Sequence, residues 1–410
     1  MLAVFRVRAY RKLFTAQVVA LLGTGLLTVA LGLLAFDLAG DRAGAVLGTA
    51  LTIKMAAYVL VAPVMAALVE RLPRKMVLVG ADVVRAAIAL SLPFVAQEWQ
   101  IYVLIFVLQS ASATFTPAFQ ALIPVILPQE RDYTRALSLS RLAYDLESLV
   151  SPMIAAVLLT VISYNNLFLG TMAGFLASGV LVVTTVLPPV PVAGNKGSVL
   201  HRTTLGARIF ARVPSLRGLL ALNLVVAAAT ALVLVNTVVY VREIYGLSNT
   251  DVAVALACFG AGSMVVALTA PRVLERVEDR SLMLAGALVL IVGLGVTVFI
   301  SASAFPWWLL LALWVVLGAG TSMINTPSAR LLRRAATDAT RSYIFTAQFS
   351  LSHACFMITY PVAGWIGAGM GQPTAALVLV VLATLGTGFA LRLWPAHPTE
   401  AMLETVREGA

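Results

Sequence analysis

The chain has 410 residues, of which 60% are hydrophobic and only 11% charged, against about 25% charged in ordinary soluble domains. That balance excludes a water-solvated globule, and the length suits twelve membrane helices of about 20 residues joined by short connectors. A net charge of +10 would fit nucleic acid, but the charges form no continuous basic stripe with aromatic or polar readers.

Uncharged runs locate the spans in chain order. Residues 13–36 lie between Lys12 and Asp37 without a charge, enough to cross the hydrocarbon once. The preceding Arg6, Arg8, Arg11 and Lys12 resemble the start of a signal peptide, but the apolar run exceeds the usual 7–15 residues and no cleavage site follows. The spacing therefore predicts a retained first helix. Further uncharged stretches, divided by turn signals at Tyr164-Asn165-Asn166, Phe305-Pro306 and Gly367 to Pro373, give spans at 44–69, 76–97, 101–123, 137–162, 167–187, 218–241, 251–271, 281–301, 307–328, 342–366 and 374–394. The expected fold is an all-α polytopic membrane protein with two six-helix bundles, 1–187 and 218–395. A cytoplasmic loop, 188–217, joins them, and a short cytoplasmic tail, 396–410, follows.

Alternating the connectors from a cytoplasmic start places twenty-three of the 28 Lys and Arg on the cytoplasmic side, only Arg42 and Arg242 outside, and Lys54, Arg85 and Arg141 within spans. This is the positive-inside asymmetry, and it predicts a multi-pass protein of the cell (inner) membrane with both termini cytoplasmic. Cys258 and Cys355 both fall in spans, so no disulfide framework is indicated.

Pieces of the second half repeat pieces of the first. Glu70-Arg71-Leu72-Pro73-Arg74-Lys75 has a counterpart in Glu275-Arg276-Val277-Glu278-Asp279-Arg280, Thr116-Pro117-Ala118 in Thr326-Pro327-Ser328, and Ser151-Pro152 in Tyr360-Pro361. Two similar six-helix bundles are the parallel-repeat plan of secondary transporters. The segment from Ala66 to Lys75 resembles the G-x-x-x-D-R-x-G-R-K/R signature of the major facilitator superfamily, with Ala66, Glu70 and Pro73 standing for Gly, Asp and Gly. Ala81 to Ala86 and Thr116 to Pro124 are similar to the macrolide-efflux-like branch of 12-helix exporters. Leu22 to Leu26, Ala347 to Ala354 and Thr359 to Trp365 resemble nickel-resistance (Nre-type) exporters, without the His-rich tail of that group.

The resemblance implies a secondary transporter, a proton-coupled exporter that alternates access, with substrate leaning to a divalent transition metal such as nickel. Efflux of a small organic molecule (drug, macrolide or siderophore) and lipid translocation are the alternatives. It further implies a cytoplasmic gate at Glu70, Arg71, Arg74 and Lys75, with Asp82 and Arg85 as a neighbouring pair. Carboxylates or helix C-termini of the opposite bundle are the expected partners of the loop cations.

Charges inside spans are expensive, so each is a functional candidate. Asp145, Glu147, Arg141 and Lys54 are the candidates for proton coupling, with Asp145 ahead of Glu147. Lys54 has two readings, a cavity cation partnering Asp145 and a side chain that snorkels. His353, with Met357 one turn on, is the candidate metal ligand, although a lone histidine also reads as hydrogen-bonded structure. Asn325, Asn236 and Gln17 complete the expected substrate lining. No nucleotide loop, G-x-S-x-G or H-E-x-x-H occurs, so neither an enzyme nor a resident cofactor is expected. The partners are a small molecule or ion, protons and the bilayer, with the chain acting as a monomer.

Overall fold

A computed structural model describes residues 2–61, 72–187, 199–302, 306–335 and 341–394, some with backbone alone. The helices are α1 (Arg8–Ala39), α2 (Ala43–Ala56), α3 (Arg74–Ser91), α4 (Glu98–Ile126), α5 (Glu130–Leu158), α6 (Asn165–Val183), α7 (Val199–Arg212), α8 (Pro214–Val239), α9 (Asn249–Val273), α10 (Asp279–Ala302), α11 (Trp307–Arg334), α12 (Arg341–Pro361), α13 (Gly367–Met370) and α14 (Gln372–Leu393). Leaving out the short α13 and the polar-faced α7, these match the twelve expected spans one for one. The fold is the all-helical polytopic bundle read from the uncharged runs.

Among the described residues, eight helical stretches are long and apolar enough to cross a bilayer. The first, Arg8–Val61, is 54 residues long, enough for two crossings. It turns at Gly40, whose φ of 54° is a left-handed value that glycine adopts without a Cβ penalty. Three π turns, Ala57–Val61, Tyr240–Ile244 and Val362–Ile366, continue α2, α8 and α12. Several helices outrun their apolar segments: α5 begins at Glu130, seven residues before the expected span, because its charged first turns lie beyond the hydrocarbon yet remain helical.

The chain forms two compact units. One comprises Met1–Gly40, Ile53–Asn195 and Val241–Ala257; the other comprises Asp41–Thr52, Lys196–Tyr240 and Cys258–Ala410. Within the first, α6 packs against α1 and α3, α3 against α4, and α1 against α5. Within the second, α14 packs against α8 and α10, α10 against α11, and α8 against α12. These neighbour relations repeat helix for helix, which is the internal duplication seen in the sequence expressed as packing.

Close approach of backbones supports this packing where lipid offers no hydrophobic drive between helices. In the second unit, a Cβ on Gly318 would overlap the Phe259 carbonyl, and one on Gly262 the Val315 carbonyl. In the first, Thr171 of α6 donates its hydroxyl to the Gly23 carbonyl of α1 at 2.8 Å.

Candidate transport site

The first unit holds charge at depth in two places. On α3, Asp82 and Arg85 are 1% and 4% exposed and form an ion pair. Ser178 of α6 donates to Asp82 Oδ2 at 2.8 Å. The Arg85 guanidinium lies 4.3 Å from the Phe115 ring centroid and 4.5 Å from that of Phe175, a cation–π cradle from α4 and α6. Charge, hydrogen bond and ring faces are thus matched within one three-helix junction. The pair thus ties α3 to α4 and α6.

The second place is between α2 and α5. Lys54 and Glu147 are each half-buried and act on each other as opposite charges. Glu147 also faces α1: a Cβ at Gly25 would stand 2.8 Å from its Oε1 and overlap Ser151, one turn along α5. Tyr58, one turn beyond Lys54, donates to Gln109 Oε1 at 3.1 Å. The side chains of Arg141 and Asp145 lie outside the described residues, so of the four coupling candidates Lys54 and Glu147 are the two whose side chains are described.

Of the gate residues, Glu70 and Arg71 lie outside the described residues, and Arg74 begins α3. Lys75 donates Nζ to the Thr185 carbonyl at 3.0 Å, and Lys12 donates to the Thr184 carbonyl at 2.9 Å. Both cations therefore sit at the C-terminal end of α6, where the helix dipole favours positive charge. This helix C-terminus belongs to the cations' own unit, whereas the sequence reading looked to the opposite bundle.

The duplicated loop behaves likewise. Arg280, the second residue of α10 as Lys75 is of α3, donates Nε to the Trp394 carbonyl at the end of α14, at 2.8 Å. Beside it Asp279, 4% exposed, pairs with Arg330 at 2.9 Å and Arg334 at 2.8 Å. The sequence reading did not single out this triad. Its signal was two arginines four apart at the end of α11 facing an acid at the start of α10.

The polar candidates for substrate lining are largely occupied with helix contacts. Gln17 of α1 accepts from Ser140 of α5 at 3.0 Å. At the matching positions of the second unit, Asn223 of α8 and Gln348 of α12 exchange two amide bonds of 3.1 and 3.3 Å. Asn236, fully buried, donates to the Ala363 carbonyl at 3.1 Å and to Gln372. Asn325 is exposed and Met357 half-buried. His353 is half-buried, with Nδ1 2.6 Å from the Phe349 carbonyl and its ring 4.1 Å from that of Phe349. Among the described residues no three His, Cys, Asp or Glu side chains come together as metal ligands. Outside the spans, Tyr164 donates to Asp37 Oδ2 at 2.5 Å, and burial together with this bond pushes its phenol well above the ordinary range.

The model of the Major Facilitator Superfamily matches residues 13–248 and 219–409. The chain belongs to the major facilitator superfamily. Over 152 residues it is 28% identical to macrolide efflux protein A of Streptococcus pyogenes, a match covering 34% of this chain and 37% of that protein. It is 23% identical over 338 residues to YfiS of Bacillus subtilis (strain 168), an uncharacterized transporter of major facilitator type, with 79% of each chain covered. In fold it is similar to a point mutant of the nucleoside transporter NupG, with a TM-score of 0.72 at 12% identity, covering 94% of this chain and 100% of that one. The chain is thus a multi-pass membrane protein of a transporter superfamily. The nickel-exporter likeness has no counterpart among these relatives.

Proposed function

We propose that this superfamily member is a proton-coupled exporter of a small organic molecule, placed in the cell membrane with both termini cytoplasmic and working by alternating access. The observation that supports the coupling is Glu147 of α5 set inside the bundle against Gly25 of α1, with Lys54 of α2 as its opposite charge. Opposite charges withdrawn from water hold together only while both stay ionised. Protonating the carboxylate removes the attraction and lets the helices that carry the pair respond. Export as the direction is supported by the likeness to macrolide efflux proteins, and an organic cargo by the apolar composition of the spans.

The competing cargo is nickel, for which the support is His353 with Met357 one turn along α12. Its imidazole is already engaged through Nδ1 with the Phe349 carbonyl, so Nε2 is the nitrogen it would offer. Proteoliposomes carrying an imposed pH gradient separate the readings. With a radiolabelled macrolide as probe, gradient-driven uptake falls at least tenfold in Glu147→Gln while substrate exchange without a gradient persists. Asp145→Asn run in parallel decides between the two carboxylates, and unchanged gradient-driven flux in both variants would remove proton coupling. Nickel flux that is present and disappears in His353→Ala would replace the organic cargo with the metal.

A further inference from the structure

Glu147 and Ser151 are one turn apart on α5 and meet α1 at the same gap. A Cβ at Gly25 would overlap the Ser151 side chain and stand 2.8 Å from Glu147 Oε1, so the absence of a side chain at Gly25 is what admits both groups. Ser151 is fully buried, and its hydroxyl has no hydrogen-bond partner among the described residues. Among the described residues the Thr230 hydroxyl is likewise without a partner, but most helical hydroxyls are not. Thr24, Thr49, Thr52 and Thr114 all return theirs to the carbonyl four residues back, the usual solution inside a helix. A buried hydroxyl left without a partner is costly and calls for an explanation.

The chemistry of the neighbouring acid supplies one. An ionised carboxylate only accepts hydrogen bonds, whereas a protonated carboxyl also donates. A hydroxyl has one donor and two acceptor lone pairs, so by rotating it answers both states. A backbone N–H or an ammonium answers only the first. We propose that Ser151 is the positioning residue of the coupling carboxyl, donating to ionised Glu147 and accepting from the protonated acid. This rests on the reading that Glu147 carries the coupling proton. Ser151 keeps its own proton throughout; the proton gained by Glu147 comes from water and returns to it. Among the described residues, the charged group acting on Glu147 from another helix is Lys54 of α2. Residues 13–36 of α1, 99–126 of α4 and all of α6 contain no charged residue, and Arg141 and Asp145 lie on the same helix as Glu147.

The test reads the acid directly and needs no cargo. Full-length protein in lipid nanodiscs is titrated while infrared difference spectra record protonated carboxyl bands, and the band lost in Glu147→Gln is assigned to that residue. In Ser151→Ala this band moves to higher frequency, because the carboxyl has lost a partner, and its titration midpoint rises by about one pH unit, the scale of one charge-assisted hydrogen bond. Ser151→Thr restores both values. Ser151→Cys, close to serine in size but a weaker donor, shifts both by less in the same direction and serves should the alanine variant fold poorly. A Glu147 band and midpoint that stay fixed in the Ala and Cys variants would overturn the role of Ser151 alone. Absence of any band lost in Glu147→Gln would overturn the reading of Glu147 as the titrating acid, and this proposal with it.

Discussion

The two units repeat one pattern of helix neighbours but fill it with different chemistry. The first seats ions inside its spans: Asp82 with Arg85, and Lys54 facing Glu147. The second makes its buried contacts with neutral groups: Asn223 with Gln348, Asn236 with Gln372, and Trp314 Nε1 donating to Thr237 Oγ1 at 2.8 Å. Its ionic triad, Asp279 with Arg330 and Arg334, stands at helix ends. A neutral amide pair keeps its hydrogen bonds across the physiological pH range, whereas an ion pair can be switched by one proton. Under the proposed coupling, one copy of the duplicated bundle would respond to protons while the other holds its shape.

That contrast is open to attack by substitution. The largest structural effect is expected at Asp82. Asp82→Ala leaves the Arg85 guanidinium buried without its counter-charge and costs about 3–5 kcal/mol, read as a drop in the thermal unfolding midpoint in detergent. Adding Arg85→Met to it recovers much of that loss if the pair is a brace, and recovers none if Arg85 has a separate duty. In the second unit Asn236→Ala deprives Gln372 and the Ala363 carbonyl of a donor, at about 1–3 kcal/mol, with no change in the pH dependence of transport. A shift of that pH dependence would dissolve the division between the units.

Smaller losses follow. Asn223→Ala removes an interhelical amide pair worth roughly 0.6 kcal/mol, as polar contacts between membrane helices average. Lys75→Ala uncaps the α6 terminus for about 0.3–1 kcal/mol, and its stability loss should shrink at high salt. Smallest is Tyr164→Phe, whose loss relative to the parent fades in alkali. The Tyr164 phenol is held above its ordinary value by burial and by Asp37. Its contribution is therefore complete below the unfolded phenol value and fades as pH rises through the higher folded one. The phenylalanine variant should lose slightly at neutral pH and show a flatter alkaline limb in unfolding measurements.

Much of the architecture was legible because hydrocarbon is a strict solvent: a run such as 13–36 without a charge has few alternatives to crossing it. Helix ends were less legible, since hydropathy marks where lipid stops. The helix itself continues, as α5 does back to Glu130. At the candidate site the sequence exposed the costly residues and paired the near neighbours Asp82 and Arg85, but for Lys54 it offered Asp145 and not Glu147. Lys54 and Glu147 lie on helices far apart in the chain, and their meeting depends on packing that no local spacing encodes. Asn236 and Gln17 read as lining because a polar side chain in a span looks the same whether it faces a cavity or a neighbouring helix. Gly25 entered only as part of the Leu22 to Leu26 stretch, since what defines it is the shape of α5 across from it.

Lys75 and Arg280 bear on the ancestry of the two halves. Each reaches the last turn of its own bundle, one to Thr185 and the other to Trp394. Donor and acceptor have both changed identity between the copies while the bond persists. A carbonyl on the main chain has no side chain to lose, so a contact made to it tolerates drift in the residue that bears it, provided the opposite partner keeps its positive sign. Kinship between the halves is recorded here in an interaction, at a pair of positions where letter-by-letter comparison would find almost nothing in common.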